Sequence, residues 1–305
     1  MFKTILFATN ASEACDAAAK TAFELADKYD AALTLVHVCH QNASTARVEE
    51  DAFKSQSDYD HLDGERRIKL KNTIKGMYAH LAQKHREPTL ELLLGKPWSK
   101  ILEYAEHINA DCVILGGHVR QGNPSTERFR GFVGSTIQAV TYGALCPVFV
   151  VSRPCETCFW YFNQIVFGAD FSAESIKAFE FAYESAKLMG CRLHLFHALN
   201  IETSQAGVGP GQMSIENRIK SAKENIHDMY VSRMNNFDNY EICVWEGVPY
   251  VELLKFSREI RADLIVMARH TGEQQNDTPS VGSTVEQVIL RSACPVVSVN
   301  VPDPF

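Results

Sequence analysis

The sequence predicts an α/β fold laid out twice, each copy a parallel sheet whose strands are joined by helices, and three observations predict it. Short apolar runs alternate with amphipathic ones along the chain, the pattern of strands linked by right-handed helical crossovers. A block from Ala110 to Val151 recurs from Ala262 to Val299. The first copy reads ADCVILGGHVR, a polar loop, FVGSTIQAV and ALCPVFVV; the second reads ADLIVMARHTG, a polar loop, VGSTVEQVIL and SACPVVSV. The total of 305 residues also suits two domains of roughly 100–200 residues each.

In the first half, Lys3 to Thr9 is an apolar run ended by Asn10, a strand buried on both faces. Ser12 is placed to cap the following helix, its hydroxyl accepting from an unpaired backbone N–H. In that helix Ala18, Ala22, Leu25, Ala26 and Tyr29 recur at helical spacing and give one apolar stripe. Ala32 to Val38 is a second strand, and the polar stretch from Cys39 to Asp63 is a loop leading into a helix from Gly64 to Lys84. Thr89 to Leu94 is a third strand, Gly95-Lys96-Pro97 a turn, and Trp98 to Ile108 a helix opened by the proline. Cys112 to Leu115, Gly134 to Tyr142 and Val148 to Val151 complete this half as strand, helix and strand.

Arg153 to Phe162 breaks the alternation and reads as a linker, which sets the domains at 1–152 and 163–305. The second half then repeats the first in order. Ile165-Val166-Phe167 matches Ile5-Leu6-Phe7, and Asp170 falls where Asn10 stood. Ser172 matches Ser12, His197 matches His37, Gly247 and Pro249 match Gly95 and Pro97, and Cys294-Pro295 matches Cys146-Pro147.

Composition narrows the function. Hydrophobic residues make up 46% and charged residues 22%, enough for each half to bury a core. A formal charge of -7, with no clustered basic stretch, argues against nucleic-acid binding. No apolar run reaches the roughly 18–20 residues of a membrane span, and the opening MFKTILFATN reads as a first strand rather than a secretory leader. Nine cysteines scattered through core strands read as reduced cytoplasmic thiols. Cys155-Glu156-Thr157-Cys158 suits a metal or a redox pair, but the further ligands of a zinc site are not supplied in sequence, so plain linker thiols beside Phe159-Trp160-Tyr161-Phe162 are the simpler reading. No metal site is expected. No Gly-x-Ser-x-Gly arrangement is present, which leaves covalent hydrolysis without support.

These repeated motifs resemble the universal stress protein family, here in a tandem, two-domain form covering nearly the whole chain. The family pattern is a strand ending in Asp, a downstream Gly-x-x-Gly, a loop, Gly-Ser or Gly-Thr, and a Cys-Pro-Val strand. The resemblance implies an adenine-nucleotide-hydrolase-like fold, each half an open parallel five-stranded sheet ordered 3-2-1-4-5 with helices on both faces. It also implies pairing through the last strands, Val148–Val151 with Val296–Val299, as an intrachain equivalent of the family dimer, with a further homodimer open. The ligand it suggests is ATP or another adenine nucleotide, with Mg.

Residue chemistry leads to the same crevice. In an open α/β sheet, ligands bind beyond the carboxyl ends of strands where strand order reverses. That places Asn10, Gly116 and His118 at one candidate site and Asp170, Ala268 and His270 at the other. Gly134-Ser135-Thr136 and Gly282-Ser283-Thr284 open helices whose unpaired N–H groups favour an anion. Neither half keeps the full pattern. The first has Val119 for the second Gly, a longer loop, and Asn10 for the acid, with Arg120, Arg128 and Arg130 as substitute phosphate partners or as solvated loop charges. The second has Ala268 and Thr271 for the upstream glycines but keeps Asp170, and is the favoured half. His118 and His270 are read as loop anchors. The expected function is a cytoplasmic stress-response regulator that binds an adenine nucleotide, which orders residues 117–133 or 269–281 and changes the surface shown to a protein partner. The alternatives are an interaction module with decayed nucleotide sites, or slow ATP hydrolysis, for which Asp170 is the one general base on offer.

Overall fold

The structure is a computed structural model that describes residues 1–39, 64–117, 133–152, 162–200, 212–269 and 283–300. The chain divides into two compact units. In the first, strands β1 (Thr4–Ala8), β2 (Ala32–Cys39), β3 (Thr89–Leu94), β4 (Cys112–Gly116) and β5 (Val148–Val151) alternate with helices α1 (Asp16–Tyr29), α2 (Gly64–Ala82), α3 (Pro97–His107) and α4 (Ser135–Gly143). They lie in the order β3-β2-β1-β4-β5, all pairs parallel.

The second unit holds β6 (Gln164–Gly168), α5 (Ser175–Met189), β7 (Arg192–Leu199), α6 (Gln212–Met229), β8 (Tyr240–Glu246), α7 (Pro249–Glu259), β9 (Leu264–Ala268), α8 (Ser283–Arg291) and β10 (Val296–Val299). Its strands run parallel in the order β8-β7-β6-β9-β10, the same layout as the first. The fold class and strand order expected from the sequence are therefore those observed.

The central strands are apolar on both faces because helices cover both, and Ile5, Leu6, Phe7, Val113, Ile114, Ile165, Val166, Phe167, Ile265 and Val266 are fully buried. An aromatic column fills one layer of each unit: Phe7 meets Tyr78 edge-on at 5.8 Å, and Phe167 meets Tyr230 at 5.1 Å.

Three repeated sequence features have visible causes. Gly95 and Gly247 sit at φ 138° and 140°, which side chains rarely adopt, and their N–H groups bond Cys39 O and Leu199 O, both at 3.0 Å. Each is followed two residues later by a proline at a helix start. The Ala-Asp pair ties down the first strand of its unit. Asp111 Oδ2 accepts from the N–H groups of Lys3 and Thr4 at 2.6 and 2.8 Å, and Asp263 Oδ2 from those of Asn163 and Gln164 at 2.8 and 3.0 Å. The histidines cross-link the strand ends: His37 Nδ1 donates to Thr9 O at 3.0 Å, and His197 Nδ1 to Ala169 O at 2.8 Å.

Candidate functional site

Strand order reverses between β1 and β4 in the first unit and between β6 and β9 in the second, so each crevice opens beyond the carboxyl ends of those strands. The chain leaving β1 or β6 makes the same turn in both. Asn10 and Asp170 are exposed at its start, and the next residues, Ala11 and Phe171, take φ of 58° and 64°. A left-handed backbone on a residue with a Cβ costs on the order of 1–2 kcal/mol, so this turn is strained in both units.

The two turns differ in how they use the side-chain oxygen. In the second unit Asp170 Oδ1 accepts from Ser172 N at 2.9 Å and from Ser172 Oγ at 2.6 Å. Both bonds fall on one oxygen, and the other meets no donor among the described residues. In the first unit Asn10 Oδ1 accepts three donors: Ser12 N at 3.1 Å, Ser12 Oγ at 2.7 Å and Cys15 Sγ at 3.1 Å. Its acceptor is saturated, and its remaining amide group can only donate.

The cap expected of Ser12 is not made: it has no side-chain cap bond, and α1 begins after Cys15. Its counterpart Ser172 accepts from Ser175 N at 3.2 Å through Oγ, but the N-cap of α5 is Glu174, which makes no side-chain cap bond either. The expectation for Ser12 is corrected: its hydroxyl is drawn back to Asn10, and a short 3-10 turn, Glu13–Cys15, intervenes before the α-helix.

That turn also fills space beside β4. A Cβ on Gly116 would lie 2.9 Å from Cys15 Sγ, 3.1 Å from Cys15 Cα and 3.2 Å from Ala14 O. Gly116 is thus required for close packing of the turn against the strand. Burial pushes the Cys15 thiol above its ordinary pKa, so it is a packed hydrogen-bond donor. In the second unit Ala268, at the place of Gly116, keeps its Cβ in the buried layer, and Ser175 stands where Cys15 was. Ser175 Oγ pairs with Tyr230 OH at 2.6 Å; in the first unit Tyr78 OH pairs instead with Thr9 Oγ1 at 2.6 Å.

Of the helix starts, Gly134 is the extended N-cap of α4 and has no heavy atom near where a Cβ would stand, Ser135 is exposed and Thr136 half-buried. Gly134 brings no side chain to cap this end, so among the described residues no side-chain cap serves the first N–H groups of the helix. Ser283 opens α8 and Thr284 is half-buried. His118, His270 and Gly282, the side chain of Ser283, Val119, Thr271, the arginines at 120, 128 and 130, and Cys155 and Cys158 lie outside the described residues.

Sequence reading missed an aromatic cluster directly after Asp170. Phe171 meets His197 with ring centroids 4.4 Å apart and planes tilted by 36°, and lies near-parallel to Tyr230 at 6.4 Å. Its signal was available: a phenylalanine directly after a strand-ending Asp, with a histidine at the end of the adjacent strand. Burial lowers the His197 pKa below its ordinary 6.5, with the bond to Ala169 and the Asp170 charge opposing. The unfolded chain therefore binds the proton first as pH falls, and stability present above about 6.5 is lost below it. His197→Gln is expected to flatten the acid side of the thermal-stability profile between pH 7 and 5.

A doubly wound α/β unit, duplicated, with a strand-end Asn10 or Asp170 and a helix start following each reversal point, is the general class. A family model described as universal stress protein family matches residues 1–152 and again 162–300, and the chain belongs to that family as a tandem member. A universal stress protein of Methanocaldococcus jannaschii is 28% identical over 154 residues, 50% of this chain and 84% of that protein. Among solved structures, a universal stress protein from Archaeoglobus fulgidus superposes with TM-score 0.64 at 18% identity, covering 97% of this chain and 98% of that one. A functionally unknown protein from Pseudomonas aeruginosa gives 0.62 at 16%, covering 99% and 94%. Among the described residues no helix is long and apolar enough to cross a membrane.

Proposed function

We propose that this tandem stress protein binds an adenine nucleotide in its second unit, and that occupancy regulates its contact with a protein partner in the cytoplasm. The observation that carries the reading is Asp170: exposed at the reversal point, with both turn bonds on Oδ1. Its second carboxylate oxygen is placed to accept from ribose hydroxyls, and the start of α8 supplies backbone N–H groups for phosphate. Phe171 and His197, tilted rings beside Asp170, offer aromatic contact for the base. Domains at 1–152 and 163–305 joined by 153–162 fit this division of labour, with ATP, with or without Mg, as the ligand class.

The test is calorimetry of the full chain with ATP, ADP and AMP, together with mass spectrometry of small molecules that copurify. Removing a charged hydrogen-bond acceptor costs about 1.5–3 kcal/mol, so Asp170→Ala should weaken binding by roughly 10- to 150-fold. Asn10→Ala should leave it unchanged. No binding to any of the three nucleotides, or equal affinity in Asp170→Ala, overturns the proposal.

A second reading rests on the first unit. There Asn10 Oδ1 is saturated and the Glu13–Cys15 turn packs against Gly116, which supports a unit that serves as a scaffold for partner binding without nucleotide.

A further inference from the structure

We propose that His194, Glu241 and Cys243 form a zinc-type metal site at the outer edge of the second sheet, apart from the nucleotide crevice. His194 on β7 stands opposite Glu241 on β8 in the strand register, and Cys243 is two residues further on, so all three share one face. Their ligand atoms, Nδ1, a carboxylate oxygen and Sγ, lie within 4.8 Å of one another.

The geometry has the detail of a ligand set. Nδ1 of His194 is buried without a hydrogen-bond partner, in a residue only 3% exposed. Its neighbour Glu241 Oε2 is 3.4 Å away and outside hydrogen-bonding geometry. That separation equals the edge of a tetrahedron with bonds of about 2.0–2.2 Å, the lengths zinc makes to nitrogen and oxygen. On its other side His194 Nε2 meets Gln164 Oε1 at 2.6 Å. The amide oxygen accepts, so the proton sits on Nε2 and the Nδ1 lone pair is left for a cation, which is how ligating histidines are held. The ring is also fixed edge-on against Phe256 at 5.4 Å.

Exposure grades outward, from buried His194 through half-buried Cys243 to exposed Glu241, which gives an ion a path in. Arg192 Nη2 meets the same Oε2 at 3.2 Å and holds the carboxylate over the histidine until a metal displaces it. Metal binding takes Cys243 as its thiolate, the proton passing to solvent as the sulfur–metal bond forms. Histidine, thiolate and carboxylate together suit zinc, with water in a fourth position.

The experiment is titration of the full, reduced chain with Co(II) and with Zn(II) against a chromophoric chelator. One equivalent is expected, with a thiolate-to-cobalt charge-transfer band. Cys243→Ser should abolish the band, Glu241→Gln, at an exposed position that leaves the fold intact, should weaken binding, and Gln164→Ala should weaken it by about 10- to 100-fold. The band should persist in a Cys155→Ser/Cys158→Ser chain, and in Asp170→Ala, which separates this site from the nucleotide reading. Absence of stoichiometric metal, a band surviving Cys243→Ser, unchanged affinity in Glu241→Gln, or a band lost with the linker cysteines overturns the proposal.

Discussion

Asp263→Ala is expected to lower the stability of the second unit by about 2–4 kcal/mol, since each backbone N–H left without an acceptor costs roughly 1–3 kcal/mol when buried. Two N–H groups, those of Asn163 and Gln164, both in part-buried bonds, converge on one oxygen of a side chain that is only 4% exposed. The loss falls at the entry to β6, the central strand of its sheet, so it should appear as an earlier transition in urea and in thermal melts. Asp263→Asn keeps an acceptor oxygen and should recover part of the loss. The first unit supplies the internal control. Asp111 makes the same pair of bonds, but one of them, to Lys3, is exposed, where water can replace the carboxylate. Asp111→Ala should therefore cost about half as much or less. Equal losses in the two variants would show that burial does not set the penalty.

Gly116→Ala is the second large effect, with an expected loss of about 1–3 kcal/mol from overpacking. Two of the three atoms that the new methyl would meet are backbone, Cys15 Cα and Ala14 O, and cannot turn away as a flexible side chain would. Cys15→Ala in the same chain removes the sulfur contact at 2.9 Å but not the other two, so it should rescue the variant only in part. Gly134→Ala, with open space around the added carbon, should change stability by less than about 0.5 kcal/mol. Melting curves of these variants distinguish a glycine required by packing from one that is not. If Gly116→Ala melts with the parent chain, the turn is more pliable than its contacts indicate.

The halves of the fold were legible because each strand is short, apolar and bounded by polar residues, and because every landmark occurs twice. Gly95 with Gly247, His37 with His197, and Asp111 with Asp263 are pairs whose recurrence marked them before any geometry gave their reason. The candidate site at the crevice was legible only as residue types at the right strand ends. Whether an acceptor there is spent or open depends on the turn that follows, and Asn10 and Asp170 differ in this through Cys15 against Ser175, a difference that carries meaning only once the turn is folded back on the strand. The His194, Glu241 and Cys243 cluster left no linear trace. Its members are brought together by the pairing of β7 with β8 across an intervening helix, and nothing in local spacing announces that register.

The kinked backbone at Ala11 and Phe171 has an evolutionary consequence. A position that glycine would fill most comfortably instead carries a methyl in one copy and a benzyl group in the other. Side-chain identity there can drift without disturbing either sheet, because the residue stands past the last strand hydrogen bond. Duplication followed by change at this one spot leaves the two crevices with different side chains at their mouths while the strand order beneath them stays the same.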